Sequence, residues 1–237
     1  LNNSPEISFS KEEENLYIAN LSQINDKLKS ALNVEQIDKF QILSMMTRLR
    51  QLCCEPRILY NDIQEPSSKM KACLDIIKKA KENKQKVLLF SSFTSSLEFI
   101  EKELRKNDIS YYVLTGATNK IKRHQLVNAF QNDSTNVFLI SLKAGGTGLN
   151  LTAASIVIHY DPWWNMSAQN QATDRAYRIG QINNVQVYKL IMKNSIEEKI
   201  QKLQEQKQDL SNIFIENNTA NITRMSTNEI ISLFSND

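Results

Sequence analysis

The middle of the chain alternates short apolar runs with segments of helical periodicity. Val87–Phe90 and Val137–Ile140 contain no polar residue, as expected of strands buried on both faces of a sheet. Further strands are predicted over Tyr111–Leu114, Ile156–Ile158 and Val185–Ile191. Because strand–helix–strand repeats join parallel strands, this pattern predicts an α/β fold, a parallel sheet with helices on both faces.

Helices are predicted between these strands. Ser67 or Ser68 can cap a helix that turns Met70, Leu74 and Ile77 inward. Two more helices carry apolar side chains at Leu97, Ile100 and Leu104, and at Leu126, Ala129 and Phe130. A polar helix is predicted from about Ala168 to Tyr177. Since parallel sheets bind ligands at the carboxyl ends of their strands, we expect functional residues in the loops that follow the strands.

Helical patterns also flank the α/β region. On the amino-terminal side, one predicted helix carries Leu21, Ile24 and Leu28, and a second carries Phe40, Leu43, Met46 and Leu49 and ends before Pro56. On the carboxyl-terminal side, predicted helices carry Ile196, Ile200, Leu203 and Leu210, then Ile230, Ile231 and Leu233. We therefore predict three parts: 1–66 as a helical segment and linker, 67–192 as the α/β domain, and 193–237 as helices that pack on it.

Composition excludes several classes of protein. No stretch approaches the roughly 18 apolar residues of a membrane span. The net charge of +3 permits a polyanionic partner without requiring one. Cys53, Cys54 and Cys73 lack metal-finger spacing and are interpreted as buried thiols in a reducing compartment, so no metal site is predicted. His124 and His159 are interpreted as structural or surface groups.

A glycine-rich loop follows the predicted strand that ends at Ile140. The segment Ser141–Asn150 holds three of the five glycines of the chain. Glycine permits positive φ, and the exposed backbone N–H groups of such a turn can bind an anion. Ser141, Lys143 and Thr147 add donors suited to phosphate. The alternative is a tight connection between a strand and a helix, in which glycine is needed only for the backbone conformation and no ligand is bound.

A second motif, Gln171–Gln181, contains two arginines three residues apart. Arg175 and Arg178 therefore share one helical face. Two adjacent guanidinium groups repel each other unless an anion lies between them. The alternative is a solvated basic face paired with Asp174 or with neighbouring carboxylates.

Farther upstream, a basic or solvated surface is expected at Arg48, Arg50 and Arg57.

Three segments, in their order and spacing, resemble the C-terminal lobe of the Swi/Snf group within helicase superfamily two. They are the glycine loop, Asp161–Asn165 and Gln171–Gln181. Further similar segments are Thr47–Pro56, Phe90–Phe93, Thr115–Thr118 and the helix from Ser195. Met166 and Tyr177 depart from the proline and histidine usual in the family. The resemblance implies that the α/β domain is RecA-like and that the carboxyl-terminal helices brace it.

The resemblance also implies a role in ATP hydrolysis. In this family ATP with Mg²⁺ is held mainly by a first lobe, and this chain has neither a phosphate-loop sequence nor an Asp-Glu-x-His run. Arg175 and Arg178 match the arginine fingers that complete the site, and Gln171 and Gly148 are expected near the same cleft. We therefore expect the chain alone to be inactive, and the longer protein of which it is the C-terminal part to be a DNA-dependent ATPase.

The DNA contacts implied by the resemblance are backbone contacts to double-stranded DNA without sequence preference. They fall on Ser92, Thr115, Ser141, Lys143, Gly145, Thr147 and Trp164. For Trp164, packing in the core at a strand end is an equally open interpretation. The other expected partner is the N-terminal lobe of the same protein, in a bacterial cytoplasm or nucleoid, or in a eukaryotic nucleus.

Two other functional classes are considered. One is a non-catalytic lobe that acts as a DNA- or protein-binding module, and a phosphate-loop lysine upstream of Leu1 would exclude it. The other is a Rossmann-type enzyme such as a nucleotide-sugar transferase. That class usually has an early G-x-G-x-x-G sequence, which this chain lacks.

Overall fold

The structure is a computed structural model that describes residues 2–3, 5–32, 39–142, 144, 151–162, 185–208 and 233–234. The chain divides into two compact units. The first comprises Leu1–Ile7 and Lys69–Ile191, and the second comprises Ser8–Ser68 and Met192–Asp237. The predicted division at 66 and 192 into three parts stays a prediction. Over the described ranges, no helix has the length and apolar character needed to cross a membrane.

The first unit is built on a six-stranded sheet. The described residues contain eight strands, of which six form this sheet. They are β1 (Asn2–Asn3), β2 (Glu6–Ile7), β3 (Lys86–Ser91), β4 (Tyr111–Leu114), β5 (Val137–Ser141), β6 (Ala154–His159), β7 (Gln186–Lys189) and β8 (Ile191–Met192). The sheet order is β1-β7-β6-β3-β5-β4, and every neighbouring pair is parallel. The predicted parallel sheet is therefore confirmed, and β1 adds an edge strand where only helix was expected.

Both faces of this sheet are buried. The helices of the first unit are α3 (Ser68–Glu82), α4 (Thr94–Lys106) and α5 (Lys120–Asn132). Leu88, Phe90 and Phe138 form one core cluster with Phe130 of α5. The alternate residues Val87, Leu89, Val137 and Leu139 are also buried, and α4 contacts β3 and β5. Because side chains alternate between the faces of a strand, burial of both sets shows that both faces are covered.

The second unit is helical. Its elements are α1 (Lys11–Leu32), α2 (Lys39–Cys54), a short 3₁₀-helix (Pro56–Ile58), α6 (Ile196–Gln208) and the helical residues Leu233–Phe234. The backbone N–H of Ile196 donates to the Tyr17 hydroxyl at 2.7 Å. The Asn25 amide donates to the carbonyl oxygen of Phe234 at 3.0 Å. The first turn of α6 and Phe234 are thus hydrogen-bonded to α1, whereas packing on the α/β domain stays a prediction.

The inward faces of α1 and α2 follow the sequence pattern except at the start of α2, where Leu43 is half-buried and Phe40 is exposed. Leu21, Ile24 and Leu28 of α1 are buried as predicted, and so are Met46 and Leu49 of α2. Phe40, by contrast, is 77% exposed. It lies in the first turn of α2, and the buried stripe begins two residues later at Ile42. The prediction that Phe40 faces inward is therefore wrong.

A buried ion pair follows α2. The Arg57 Nε and Nη2 atoms donate to Oε1 and Oε2 of Glu55, each at 2.9 Å. The backbone N–H of Ser67 also donates to Glu55 Oε2, at 3.2 Å. Arg50 is 6% exposed and Arg57 9%, so the expected surface position of these two arginines is wrong. A bidentate carboxylate satisfies the planar guanidinium of Arg57 and permits its burial.

Candidate functional site at the carboxyl edge of the sheet

The carboxyl ends of the central strands lie side by side. Leu114 pairs with Ile140, and Ser91 pairs with Ser141. Phe90 pairs with His159 on the other side of β3. The residues that follow these strands therefore meet at one edge, and Ser92, Thr115 and Ser141 are the predicted site residues brought there. The other predicted site residues lie outside the described residues: Lys143, Gly145, Thr147, Gly148, Trp164, Gln171, Arg175 and Arg178.

Asp161 is the centre of a hydrogen-bonded cluster at this edge. It follows β6 and is 1% exposed. Its Oδ1 accepts from the Ser91 hydroxyl at 2.6 Å and from the backbone N–H of Ser92 at 3.0 Å. Its Oδ2 accepts from the Ser92 hydroxyl. We call these three residues the Asp161 clamp, because they join the end of β3 to the loop after β6.

The Asp161 clamp affects the predicted role of Ser92, which is to contact a phosphate of the DNA backbone. A hydroxyl group has one proton to donate, and the Ser92 proton is directed to Asp161. While this bond is made, Ser92 has no proton to donate to a phosphate. Asp161 is part of the Asp161–Asn165 motif, but the sequence pattern predicts no role for it. The feature that could have indicated one is a carboxylate placed two residues after the end of a buried strand.

Thr115 begins a tight turn between β4 and α5. Its backbone N–H donates to the Thr118 hydroxyl at 3.1 Å, and the Thr118 N–H donates to the Thr115 carbonyl oxygen at 3.1 Å. Among the described residues, no atom lies within 4 Å of a Cβ added to Gly116 within the turn. With respect to these residues, the backbone next to Thr115 is therefore uncovered.

The start of the glycine loop is fixed by two contacts. The backbone N–H of Ala144 donates to the Ser141 carbonyl oxygen at 2.9 Å. Arg123 of α5 reaches the same segment, and its Nη2 donates to the Ala144 carbonyl oxygen at 2.5 Å. Ser141 is 4% exposed, and its Oγ has no hydrogen-bond partner in the part of the chain that the structure describes. A buried hydroxyl without a hydrogen-bond partner is unusual in proteins. The sequence pattern does not predict this contact of Arg123.

Two titratable groups of the first unit, His159 and Cys73, are buried in its core. Burial, with a smaller contribution from the Lys189 cation, lowers the pKa of His159 to about 3. The ring is therefore neutral at physiological pH and stacks on Phe90 with ring centroids 5.7 Å apart. Burial also raises the pKa of the Cys73 thiol. Among the residues that the structure describes, no group of three or more His, Cys, Asp or Glu side chains could hold a metal ion.

Replacing Asp161 with alanine is expected to destabilise the chain by about 3 kcal/mol, because it leaves the donors of Ser91 and Ser92 without their acceptor. The free energy of unfolding in urea measures the effect. Asp75→Ala is the matched control, since Asp75 is exposed on α3 and its loss should change stability by less than about 0.5 kcal/mol. Equal stability of the two variants would contradict the role given to the clamp.

Comparison with known proteins agrees with this geometry. Residues 68–180 match the family described as the helicase conserved C-terminal domain. An uncharacterized ATP-dependent helicase of Mycoplasma pneumoniae is 38% identical over 225 residues, which cover 94% of this chain and 21% of the helicase. The C-terminal domain of the Sulfolobus solfataricus SWI2/SNF2 ATPase superposes with a TM-score of 0.81 at 28% identity, covering 100% of this chain and 99% of that domain. The core of a Sulfolobus solfataricus SWI2/SNF2 ATPase, solved in complex with double-stranded DNA, gives a TM-score of 0.82 at 30% identity, covering 100% of this chain and 50% of that core.

A parallel sheet with helices on both faces, together with the matched family, defines the C-terminal lobe of a superfamily-two helicase. Within that superfamily, the chain belongs to the Swi/Snf group, as its similarity to the whole SWI2/SNF2 C-terminal domain indicates. The predicted RecA-like lobe is thereby confirmed. The chain spans only 21–25% of the length of the curated relatives that it matches over nearly its whole length.

Proposed function

We propose that the chain is the second motor lobe of an ATP-dependent double-stranded-DNA translocase. The observation that carries this proposal is the carboxyl edge of the sheet, where Thr115, Ser141 and the start of the glycine loop lie at the ends of the neighbouring strands β4 and β5. Parallel sheets bind their ligands at this edge. Similarity to a SWI2/SNF2 core that was solved with double-stranded DNA supports duplex DNA as the ligand.

Arg175 and Arg178 are proposed to complete an ATP site formed with a first lobe. That lobe holds ATP and Mg²⁺, and the two arginines stabilise the charge of the transferring γ-phosphate. Gln171 and Gly148 lie near the same cleft in this proposal. Because the chain contains no phosphate-loop sequence, it does not hydrolyse ATP alone. Hydrolysis requires both lobes to meet, so it is coupled to their closure.

The DNA-facing residues are proposed to bind the phosphates of the backbone. They are Thr115, Ser141, Lys143, Gly145, Thr147 and Trp164, and Ser92 joins them only by releasing Asp161. Phosphate contacts fix the position of a protein on DNA without reading its sequence. This property suits a motor that moves over any sequence, whether in a bacterial nucleoid or in a eukaryotic nucleus.

Lys143→Ala is expected to weaken binding about equally for unrelated duplexes and to flatten the plot of log affinity against log salt by roughly one unit. The unmodified chain should bind in the non-specific range, with a Kd of about 10⁻⁴–10⁻⁶ M. Fluorescence anisotropy over a salt series measures both quantities. Thr147→Ala is the control, because it removes a neutral donor and should weaken binding with little change in slope. A strong preference for one duplex, or an unchanged slope for Lys143→Ala, would refute the proposed backbone contact.

A further inference from the structure

The outward face of α2 carries an arginine whose orientation is fixed. Arg48 is exposed, and its Nε donates to Asn20 Oδ1 at 2.8 Å while its Nη2 donates to the Tyr60 hydroxyl oxygen at 3.0 Å. Its Cζ lies 5.7 Å from the centre of the Tyr60 ring. Asn20 is itself 4% exposed and donates to the Leu16 carbonyl oxygen at 2.8 Å. The guanidinium group of Arg48 is therefore held in one position by neutral groups.

The charge of Arg48 has no counterion among the residues that the structure describes. Arg57 has the carboxylate of Glu55 at 2.9 Å, and the exposed Arg105 has that of Glu101 at 3.4 Å. No described carboxylate pairs with Arg48 in this way. Its two hydrogen bonds use the edge formed by Nε and Nη2, which leaves the edge formed by Nη1 and Nη2. That edge matches the two oxygens of a carboxylate.

A large apolar side chain lies on the same face of α2. Phe40 is 77% exposed, and it lies eight positions before Arg48, with the exposed Ser44 midway. Positions four apart share one helical face, so these three residues form an exposed row, which we call the α2 stripe. At 1.5 Å per residue, its two ends are about 12 Å apart along the helix. Aromatic residues and arginine are the types enriched at the centres of protein interfaces.

We propose that the α2 stripe binds a protein segment that presents a carboxylate to Arg48 and an apolar side chain to Phe40. The charge of the stripe supports this partner, because the free edge of the guanidinium can donate two hydrogen bonds to one carboxylate. Ser44 is small, so the backbone of the partner can approach the helix between the two anchors.

The stripe matches a protein partner better than a nucleic-acid backbone. Binding to DNA phosphates relies on several cations, whereas Arg48 is the one exposed cation among the described side chains from Phe40 to Cys54. None of the three residues of the stripe belongs to the proposed ATP or DNA sites. The inference is therefore independent of the proposed function.

The test uses short random peptides displayed on phage and selected on the complete chain. Enriched peptides are expected to combine Asp or Glu with aromatic or aliphatic residues. Arg48→Lys keeps the charge but removes the planar edge, and it should weaken the binding of an enriched peptide by at least about ten-fold, as is typical of a residue at the centre of an interface. Phe40→Ser should weaken it to a similar degree. Fluorescence anisotropy with the labelled peptide measures both affinities.

Two controls separate binding from folding. Phe40 is 77% exposed, so Phe40→Ser should leave the midpoint of thermal unfolding unchanged, even where Arg48→Lys lowers it by breaking the contacts with Asn20 and Tyr60. Arg105→Lys is the matched control, because Arg105 is an exposed arginine that already has a carboxylate. This variant should bind the peptide as tightly as the unmodified chain does.

Three outcomes would overturn the inference. One is a selection that enriches no peptide above background, and another is a set of enriched peptides without acidic residues. The third is an enriched peptide that binds the Arg48→Lys and Phe40→Ser variants as tightly as the unmodified chain. Loss of duplex binding by Arg48→Lys, with no loss of peptide binding, would belong to this third outcome and would assign Arg48 to phosphate instead.

Discussion

Arg178→Ala is expected to abolish DNA-stimulated ATP hydrolysis in a two-lobe protein that contains this chain, while duplex binding is largely kept. Under the proposed function, Arg178 faces the nucleotide cleft rather than the DNA. Loss of an arginine finger costs roughly 10³–10⁵ in rate in enzymes of related chemistry. Phosphate release at saturating duplex measures the rate, and fluorescence anisotropy measures the binding.

Arg105→Ala provides the control for this experiment. Arg105 is an exposed arginine of α4 that pairs with Glu101 at 3.4 Å, and its loss should leave hydrolysis nearly unchanged. Arg175→Ala should behave like Arg178→Ala. The isolated 237-residue chain should release no phosphate above background. Near-normal hydrolysis by the Arg178 variant would refute the arginine-finger assignment, and turnover by the isolated chain would refute the two-lobe site.

Glu55→Ala is expected to produce the largest loss of stability, about 3–5 kcal/mol, because it leaves the buried Arg57 guanidinium without its carboxylate. Both side chains are almost fully buried, with 0% of Glu55 and 8% of Arg57 exposed. The backbone N–H of Ser67 also loses an acceptor at 3.2 Å. The free energy of unfolding in urea measures the change.

The control is the exposed pair on α4. Glu101→Ala breaks its contact with Arg105, whose side chain is 67% exposed, and exposed pairs of this spacing contribute about 0.3–0.5 kcal/mol. Glu55→Gln supplies a milder change, since it keeps one acceptor oxygen, and should fall between the two. The double variant Glu55→Ala/Arg57→Ala should lose less than the sum of the single losses, because no unpaired charge remains buried. Additive losses would contradict the ion-pair account.

The central strands could be predicted from the sequence because burial on both faces leaves a simple pattern. Every residue of Val137–Ile140 is apolar and every one is buried. The same holds for Val87–Phe90. Strand β1 could not be predicted in this way, because Asn2 and Asn3 are polar and the strand has two residues. It is defined by pairing with Val187 and Tyr188 of β7, which no local pattern encodes.

The candidate site was predictable only in its location. The loops after β3, β4 and β5 were expected to carry functional residues, and their register brings Ser92, Thr115 and Ser141 to one edge. The partners of these side chains depend on that register. The contact between Ser92 and Asp161 joins residues 69 positions apart. Likewise, the burial of Arg57 depends on Glu55 and on the position of Ser67, whereas the sequence predicted a basic or solvated surface there.

The Asp161 clamp also has a mechanical consequence. The loops that follow β3 and β6 are joined through one carboxylate, and their strands are neighbours in the sheet. A pull on one of these loops is therefore shared between two adjacent strands. Under the proposed function, in which the loops at this edge contact DNA, a force on one loop is therefore distributed over two strands of the sheet instead of one.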